Sequence, residues 1–273
     1  MPGHYKDEGI VLKAIKLGEA DRIVTFFTRH HGKVAAVAKG IRKTKSRFGG
    51  RLEPFTRVDL MLYRGRSLDT ITSVDIVESF KGVRDHYETL TAAASLAELV
   101  DKVTPDRERA LPVYALLVSG LEALAAGEST TVVPAFYVKL LSVSGYHPQL
   151  RVCAGCGSHD ALAGFSAPLG GVICESCLNE EEDAVGLSSD RIATLNRLLG
   201  SELGQPGGLD ETIQLTRLLR RYAEYHLERP MRSLEASGSE PRMRRHVGSV
   251  PAPSPQAALS LDEPDPAAPS GAR

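Results

Sequence analysis

The sequence predicts an α+β chain in two folded parts, and three observations predict it. Five short β-rich runs fill the first 80 residues. After Phe80 the apolar residues recur at helical spacing, with alanine and leucine dominant. Two Cys-x2-Cys pairs then interrupt the helical part at Cys153/Cys156 and Cys174/Cys177. The organisation expected is a five-stranded barrel over 1–80, a helical domain over 81–236 with a zinc module at 153–177, and a disordered Pro/Ala/Ser-rich tail over 237–273.

The strands are read at 10–17, 22–28, 33–38, 57–63 and 68–78. His31-Gly32 supplies the short turn of a hairpin between the second and third. Val58, Leu60 and Leu62 alternate with Asp59 and Met61, so one face is core and the other is wet. Five short strands in one small basic domain fit an OB-type barrel better than an open sandwich.

In that barrel the stretch 39–55, KGIRKTKSRFGGRLEPF, is the loop between the third and fourth strands. It carries Lys39, Arg42, Lys43, Lys45, Arg47 and Arg51 before the first acid, Glu53. Lys and Arg on a loop can neutralise phosphates, and an aromatic among them can stack on an unpaired base. Phe48 is the candidate for stacking; a ring tucked against the barrel is the other reading of it. Lys33, Arg22 and Arg66 are neighbouring candidates on the barrel. A solvated basic loop with no ligand is the plain alternative for the whole stretch.

The charge distribution favours a polyanion. Net charge is −1, but residues 1–80 hold 15 Lys and Arg against 9 Asp and Glu, leaving the remainder acidic. No apolar run is long enough for a membrane helix and the N-terminus lacks signal-peptide order, so a cytoplasmic protein without membrane contact is expected.

In the second part, helices are expected from about 87 to 103, closed by Pro105, and from Pro112 to Gly127. Another is expected from near Pro134 to Gly145. Ser188 or Ser189 caps a further helix. The last, over 210–227, is read with Ile213, Leu215, Leu218, Leu219, Tyr222 and Tyr225 largely inward and Arg217, Arg220 and Arg221 outside.

The two cysteine pairs are separated by 17 residues, a zinc spacing. Each knuckle supplies two thiolates from one tight turn, so Cys153, Cys156, Cys174 and Cys177 close a tetrahedron and leave no position for water. That argues for a structural Zn2+; free buried thiols are the alternative. His159 beside the first knuckle reads as a surface residue, and His30-His31 as turn residues. No phosphate loop, nucleophile elbow or HExxH helix occurs, which shifts the balance from enzyme to binding protein.

Three blocks resemble one bacterial family. They are Gly18-Glu19-Ala20-Asp21-Arg22-Ile23-Val24 with AKGIRKTKSRFGGRLEPF (38–55), GYHPQLRVCAGCG (145–157) with FSAPLGGVICESC (165–177), and YAEYHLERPMRSL (222–234). Together they resemble the DNA repair protein RecO, in an Ala- and Arg-rich actinobacterial form. The resemblance implies a recombination mediator rather than an enzyme. Such a protein binds single- and double-stranded DNA, anneals strands coated with single-strand-binding protein, and works with RecR to load RecA. It also implies that an apolar groove in the helical domain takes the acidic C-terminal tail of single-strand-binding protein, with Arg217, Arg220 and Arg221 as candidates for its rim. An RNA-binding OB and zinc module, a zinc-dependent hydrolase or nuclease, and a scaffold for an acidic protein are the competing readings.

Overall fold

The computed structural model describes residues 3–43, 46, 48–127, 131–201, 203 and 208–233. Lys45, Arg47 and the expected tail over 237–273 lie outside the described residues.

Five strands close the barrel: β1 (His4–Leu17), β2 (Asp21–Thr28), β3 (Gly32–Ala38), β4 (Arg57–Tyr63) and β5 (Asp69–Glu78). Their order is β1-β2-β3-β5-β4, with β4 returning to β1. All pairs are antiparallel except β3 and β5, where Ala36 faces Asp69 and Val37 faces Thr70. This is an OB-type barrel. β1 starts six residues earlier than the apolar pattern suggests, because His4 to Gly9 is a polar half-strand paired with β4. A bulge between Val11 and Lys13 marks where β1 leaves β4 for β2.

Alternation along the strands serves two cores. Val11, Val24, Phe26, Val34, Leu60, Leu62 and Ile71 fill the barrel. Ile10, Leu12 and Phe27, on the other face of β1 and β2, join the helical core instead. Each such side chain withdrawn from water contributes roughly 1.5–3 kcal/mol, so the barrel is welded to the helices by packing.

The helices are α1 (Lys81–Asp85), α2 (Tyr87–Val103), α3 (Leu111–Ala125), α4 (Val132–Val143), α5 (Glu175–Glu180), α6 (Ser189–Gly200) and α7 (Leu209–Leu227). Pro112 in the first turn of α3 costs no hydrogen bond there. Leu96, Leu99 and Val100 of α2 bury against Leu117 and Leu121 of α3 and Phe136 and Leu140 of α4. On α7 the inward stripe is Leu215, Leu218, Leu219 and Tyr222. Ile213 and Tyr225, expected inward, are exposed, because they fall outside that stripe's arc on a 3.6-residue period.

The metal module carries a three-stranded sheet, β7-β6-β8, from β6 (Leu162–Ser166), β7 (Gly171–Cys174) and β8 (Val185–Gly186). Phe165 and Val172 plant one side of it in the helical core, Phe165 meeting Tyr222 edge to face at 5.6 Å.

A polar seam joins barrel to helices. Glu8 accepts hydrogen bonds from Arg57 at 2.7 Å and from the Tyr114 hydroxyl at 2.7 Å. Lys33 donates to the carbonyl oxygens of Asp101 at 2.6 Å and Thr104 at 2.9 Å, and pairs with Asp106 at 3.3 Å. The segment after α2 lies so close to β3 that a Cβ at Gly32, whose φ is +62°, would sit 1.8 Å from the Glu108 carbonyl oxygen. Only glycine meets both demands.

Candidate nucleic-acid interface and metal centre

The basic loop leaves the barrel at Ala38 and returns to it at Arg57. Its first turn is pinned: the Gly40 N–H donates to the Asp21 carboxylate at 2.7 Å, and the Arg42 N–H to the Ala20 carbonyl at 3.0 Å. Nη1 of Arg42 also reaches the Glu19 carbonyl at 2.8 Å. A 3-10 turn over Gly49–Leu52 follows. Phe48 and Leu52 flank or end that turn and plug the barrel, each 1 % exposed. The loop is thus nailed down by two apolar side chains while Lys39, Arg42, Lys43 and Arg51 stay exposed.

This burial corrects the role given to Phe48. A ring in the barrel core cannot lie flat on a base, so Phe48 anchors the loop and is not a stacking surface in this conformation. Lys33 is corrected too: its side chain is 12 % exposed and its ammonium is spent on α2 and the segment after it, so it is a seam residue rather than a phosphate contact. Arg22 is half-buried on β2 and Arg66 exposed after β4. The register pairs Arg22 with Lys16, which is exposed and which the sequence reading missed. Extending the hairpin pairing back from the 18–20 turn would have found it.

His30 and His31 do not converge on an ion. Nδ1 of His30 lies 2.9 Å from one oxygen of Asp7, and Nδ1 of His31 lies 2.6 Å from the other. The backbone N–H groups of Glu8 and His31 add to the clasp at 2.8 and 3.1 Å. Burial works against the Asp7 charge, but these hydrogen bonds outweigh it and hold its pKa below the ordinary carboxylate value.

The four cysteines meet in the module. Cys153 and Cys156 come from the turn before β6, Cys174 ends β7 and Cys177 lies in α5. Their sulfurs all lie within 4.8 Å of one another, and Sγ of Cys156 is 3.6 Å from Sγ of Cys174. A tetrahedral thiolate site with metal–sulfur bonds near 2.3 Å has sulfur–sulfur edges of about 3.8 Å, so the residues fit a metal ion. A Cβ at Gly155 would approach Sγ of Cys177 to 3.1 Å, which keeps side chains out of the knuckle.

Electrostatics agree with the geometry. Burial disfavours the Cys153 thiolate, yet backbone N–H groups of Cys156, Cys174 and Gly155 point at it and bring its pKa down to about 6. Cys177 is pushed up to about 12 by the other sulfurs, Cys153 foremost. Four thiolates this close need a cation to ionise together. His159 is exposed and stands outside the cluster, whose four members are all cysteines.

On the helical side, Arg220 bonds Glu224 at 3.1 Å and the Met231 carbonyl at 2.8 Å, so it belongs to the fold of the chain end rather than to a groove rim. Arg217 and Arg221 are exposed. A groove of about 560 Å3 opens elsewhere, between α3 and the segment after α6, lined by Leu116, Ala123, Ser201 and Leu203 among others, with Lys139 of α4 beside them. Among the described residues, no helix is long and apolar enough to cross a membrane.

Two family models match the chain. The N-terminal model of recombination protein O covers residues 1–80, and its C-terminal model covers 84–235. The chain belongs to the RecO family. Curated relatives named DNA repair protein RecO include that of Bifidobacterium adolescentis, 42 % identical over 84 % of this chain and 97 % of its own length. Those of Nocardioides sp. and Frankia casuarinae are 40 % and 42 % identical over 84 % of this chain, covering 97 % and 96 % of their own lengths. RecO is a family of recombination mediators in DNA repair rather than of enzymes.

Proposed function

We propose that this chain binds single- and double-stranded DNA through the basic loop and anneals complementary strands coated with single-strand-binding protein. With RecR it then promotes the loading of RecA. The observation that carries the reading is the loop's construction: Phe48 and Leu52 are buried in the barrel while Lys39, Arg42, Lys43 and Arg51 are held outside it. Lys45 and Arg47 belong to the same stretch of sequence.

Phosphate contacts give affinity without sequence preference, which suits a factor that must act at any gap. Annealing then needs no bond-making. The loop cations lower the repulsion between two phosphate backbones, and base pairing supplies the driving force.

The cysteine cluster holds a structural Zn2+ in this reading. Four thiolates leave no open position, so the ion's contribution is to fix β7 and α5 to the turn at Cys153. The groove beside Lys139 is the candidate for the acidic, aromatic-ended tail of single-strand-binding protein: Leu116, Ala123 and Leu203 line it with Lys139, whose ammonium also donates to the Leu199 carbonyl at 2.7 Å, although Glu122 lines it too.

The experiment is annealing of labelled complementary oligonucleotides precoated with single-strand-binding protein, with no nucleotide added. Acceleration by the chain, reduced when Lys39, Lys43 and Arg51 are changed to Ala, supports the proposal. A folded, metal-loaded preparation that gives no acceleration contradicts it.

A further inference from the structure

With Phe48 buried, the barrel's exposed aromatic surface lies elsewhere. His4 and Tyr63 are cross-strand partners on β1 and β4, their rings 5.1 Å apart and edge to face. Tyr63 is 41 % exposed and His4 is exposed. Both point away from the barrel interior, on a part of the sheet that also presents Lys6, two residues along from His4 and on the same face.

Cations adjoin the pair in sequence. Arg64 follows Tyr63 directly and Arg66 lies two residues on, both exposed. The guanidinium of Arg64 sits 5.2 Å from the centre of the Tyr5 ring. Below, buried Asp69 fixes the turn: it accepts from the Tyr5 hydroxyl, from the Gly65 N–H at 2.9 Å and from Arg107 at 2.9 Å. The face is bounded on its other side, since Asp59 and Asp75 oppose each other on β4 and β5 and would repel phosphate.

The location continues the basic loop. Asp69, at the end of this turn, pairs with Ala36 of β3, whose last residue Ala38 precedes Lys39. One strand of DNA can therefore pass from the loop cations to the aromatic pair over a short path.

We propose that Tyr63, supported edge-on by His4, is the platform on which an unpaired base of single-stranded DNA stacks. Arg64 and Arg66 take the flanking phosphates. The inference rests on the DNA-binding reading above and adds to it the contact that separates single strands from duplex: a paired base has no free face to offer. Stacking of this kind accepts any base, as annealing of arbitrary sequences requires.

The chain contains no tryptophan, so Tyr63→Trp places a single reporter on the platform. Its emission is expected to fall on titration with an oligo-dT strand and to hold steady with an abasic strand of equal length. Tyr87→Trp, at a 60 % exposed position on α2, is expected to show no fall with either. Tyr63→Ala is expected to weaken oligo-dT binding about five- to hundredfold while leaving duplex affinity and far-ultraviolet dichroism unchanged. Wild-type binding with an unresponsive Tyr63→Trp reporter, or Tyr63→Ala binding oligo-dT as wild type does, overturns this inference alone. A wild-type chain that binds no oligonucleotide overturns it together with the reading beneath it.

Discussion

The ammonium of Lys33, on a strand of the barrel, donates to the carbonyl oxygen of Thr104 at the end of α2 at 2.9 Å. A lysine from the basic half of the sequence is thereby a structural fastener. Lys33→Ala should lower stability by about 1–3 kcal/mol, because the Asp101 and Thr104 carbonyls lose a charged donor in a half-closed seam. The salt dependence of DNA binding should not change. Denaturant unfolding and binding titrations at several salt concentrations separate the two effects.

Phe48 gives a second prediction. Phe48→Ala leaves a cavity in the barrel and should cost about 3–5 kcal/mol. Phe48→Leu keeps the plug without an aromatic face, and it should retain most of the stability and bind single-stranded DNA as wild type does. A large loss of affinity in the leucine variant, with the fold intact, would return Phe48 to the role of a stacking residue.

Four hydrogen-bonded carboxylates predict an acid limb: three in the barrel and Glu98 on α2, which accepts from Lys102 and from the Ser233 hydroxyl. In Asp7, Glu8, Asp69 and Glu98 burial disfavours the charge, but hydrogen bonds from neighbours outweigh it and each pKa is lowered. A carboxylate with a lowered folded-state pKa contributes stability that is complete above its unfolded value, near 4, and is lost as pH falls through the folded value. The unfolding temperature should fall steeply below about pH 4. Asp7→Asn should be less stable at neutral pH and show a shallower acid limb, read by thermal unfolding across a pH series.

The metal centre predicts a different signature. Cys174→Ser removes one of four sulfurs, so bound zinc should drop below one per chain. Stability should fall by more than about 2 kcal/mol. Cobalt substitution of the wild type should give thiolate charge-transfer absorption. Full zinc stoichiometry with normal stability in the variant would show that the cluster is not the site.

The barrel was legible in the sequence because its strands alternate cleanly and its turns carry glycine: four of the five strands lie within one residue of their expected starts and ends. The fourth, 57–63, coincides with β4. What the pattern could not reveal is which side of β1 counts as buried, since Ile10, Val11 and Leu12 serve two cores in succession. Phe48 was left between two readings for a related reason. Its sequence neighbours are polar, cationic or glycine, and only the closed barrel shows that the ring belongs to its core. The cysteine quartet was legible from spacing alone, whereas the sheet that carries it has strands of two to five residues, too short to show a period. His4 and Tyr63 lie 59 positions apart, and only the β1–β4 register brings them together.

The most direct test of the central claim is the salt dependence of single-stranded DNA affinity for the wild type and for the Lys39, Lys43 and Arg51 to Ala triple variant. Each phosphate contact on a single strand contributes about 0.7 to the slope of log affinity against log salt, so the account predicts a slope shallower by about 2 in the triple variant, with the fold unchanged. Equal slopes for the two proteins would contradict it and remove the loop from the DNA interface.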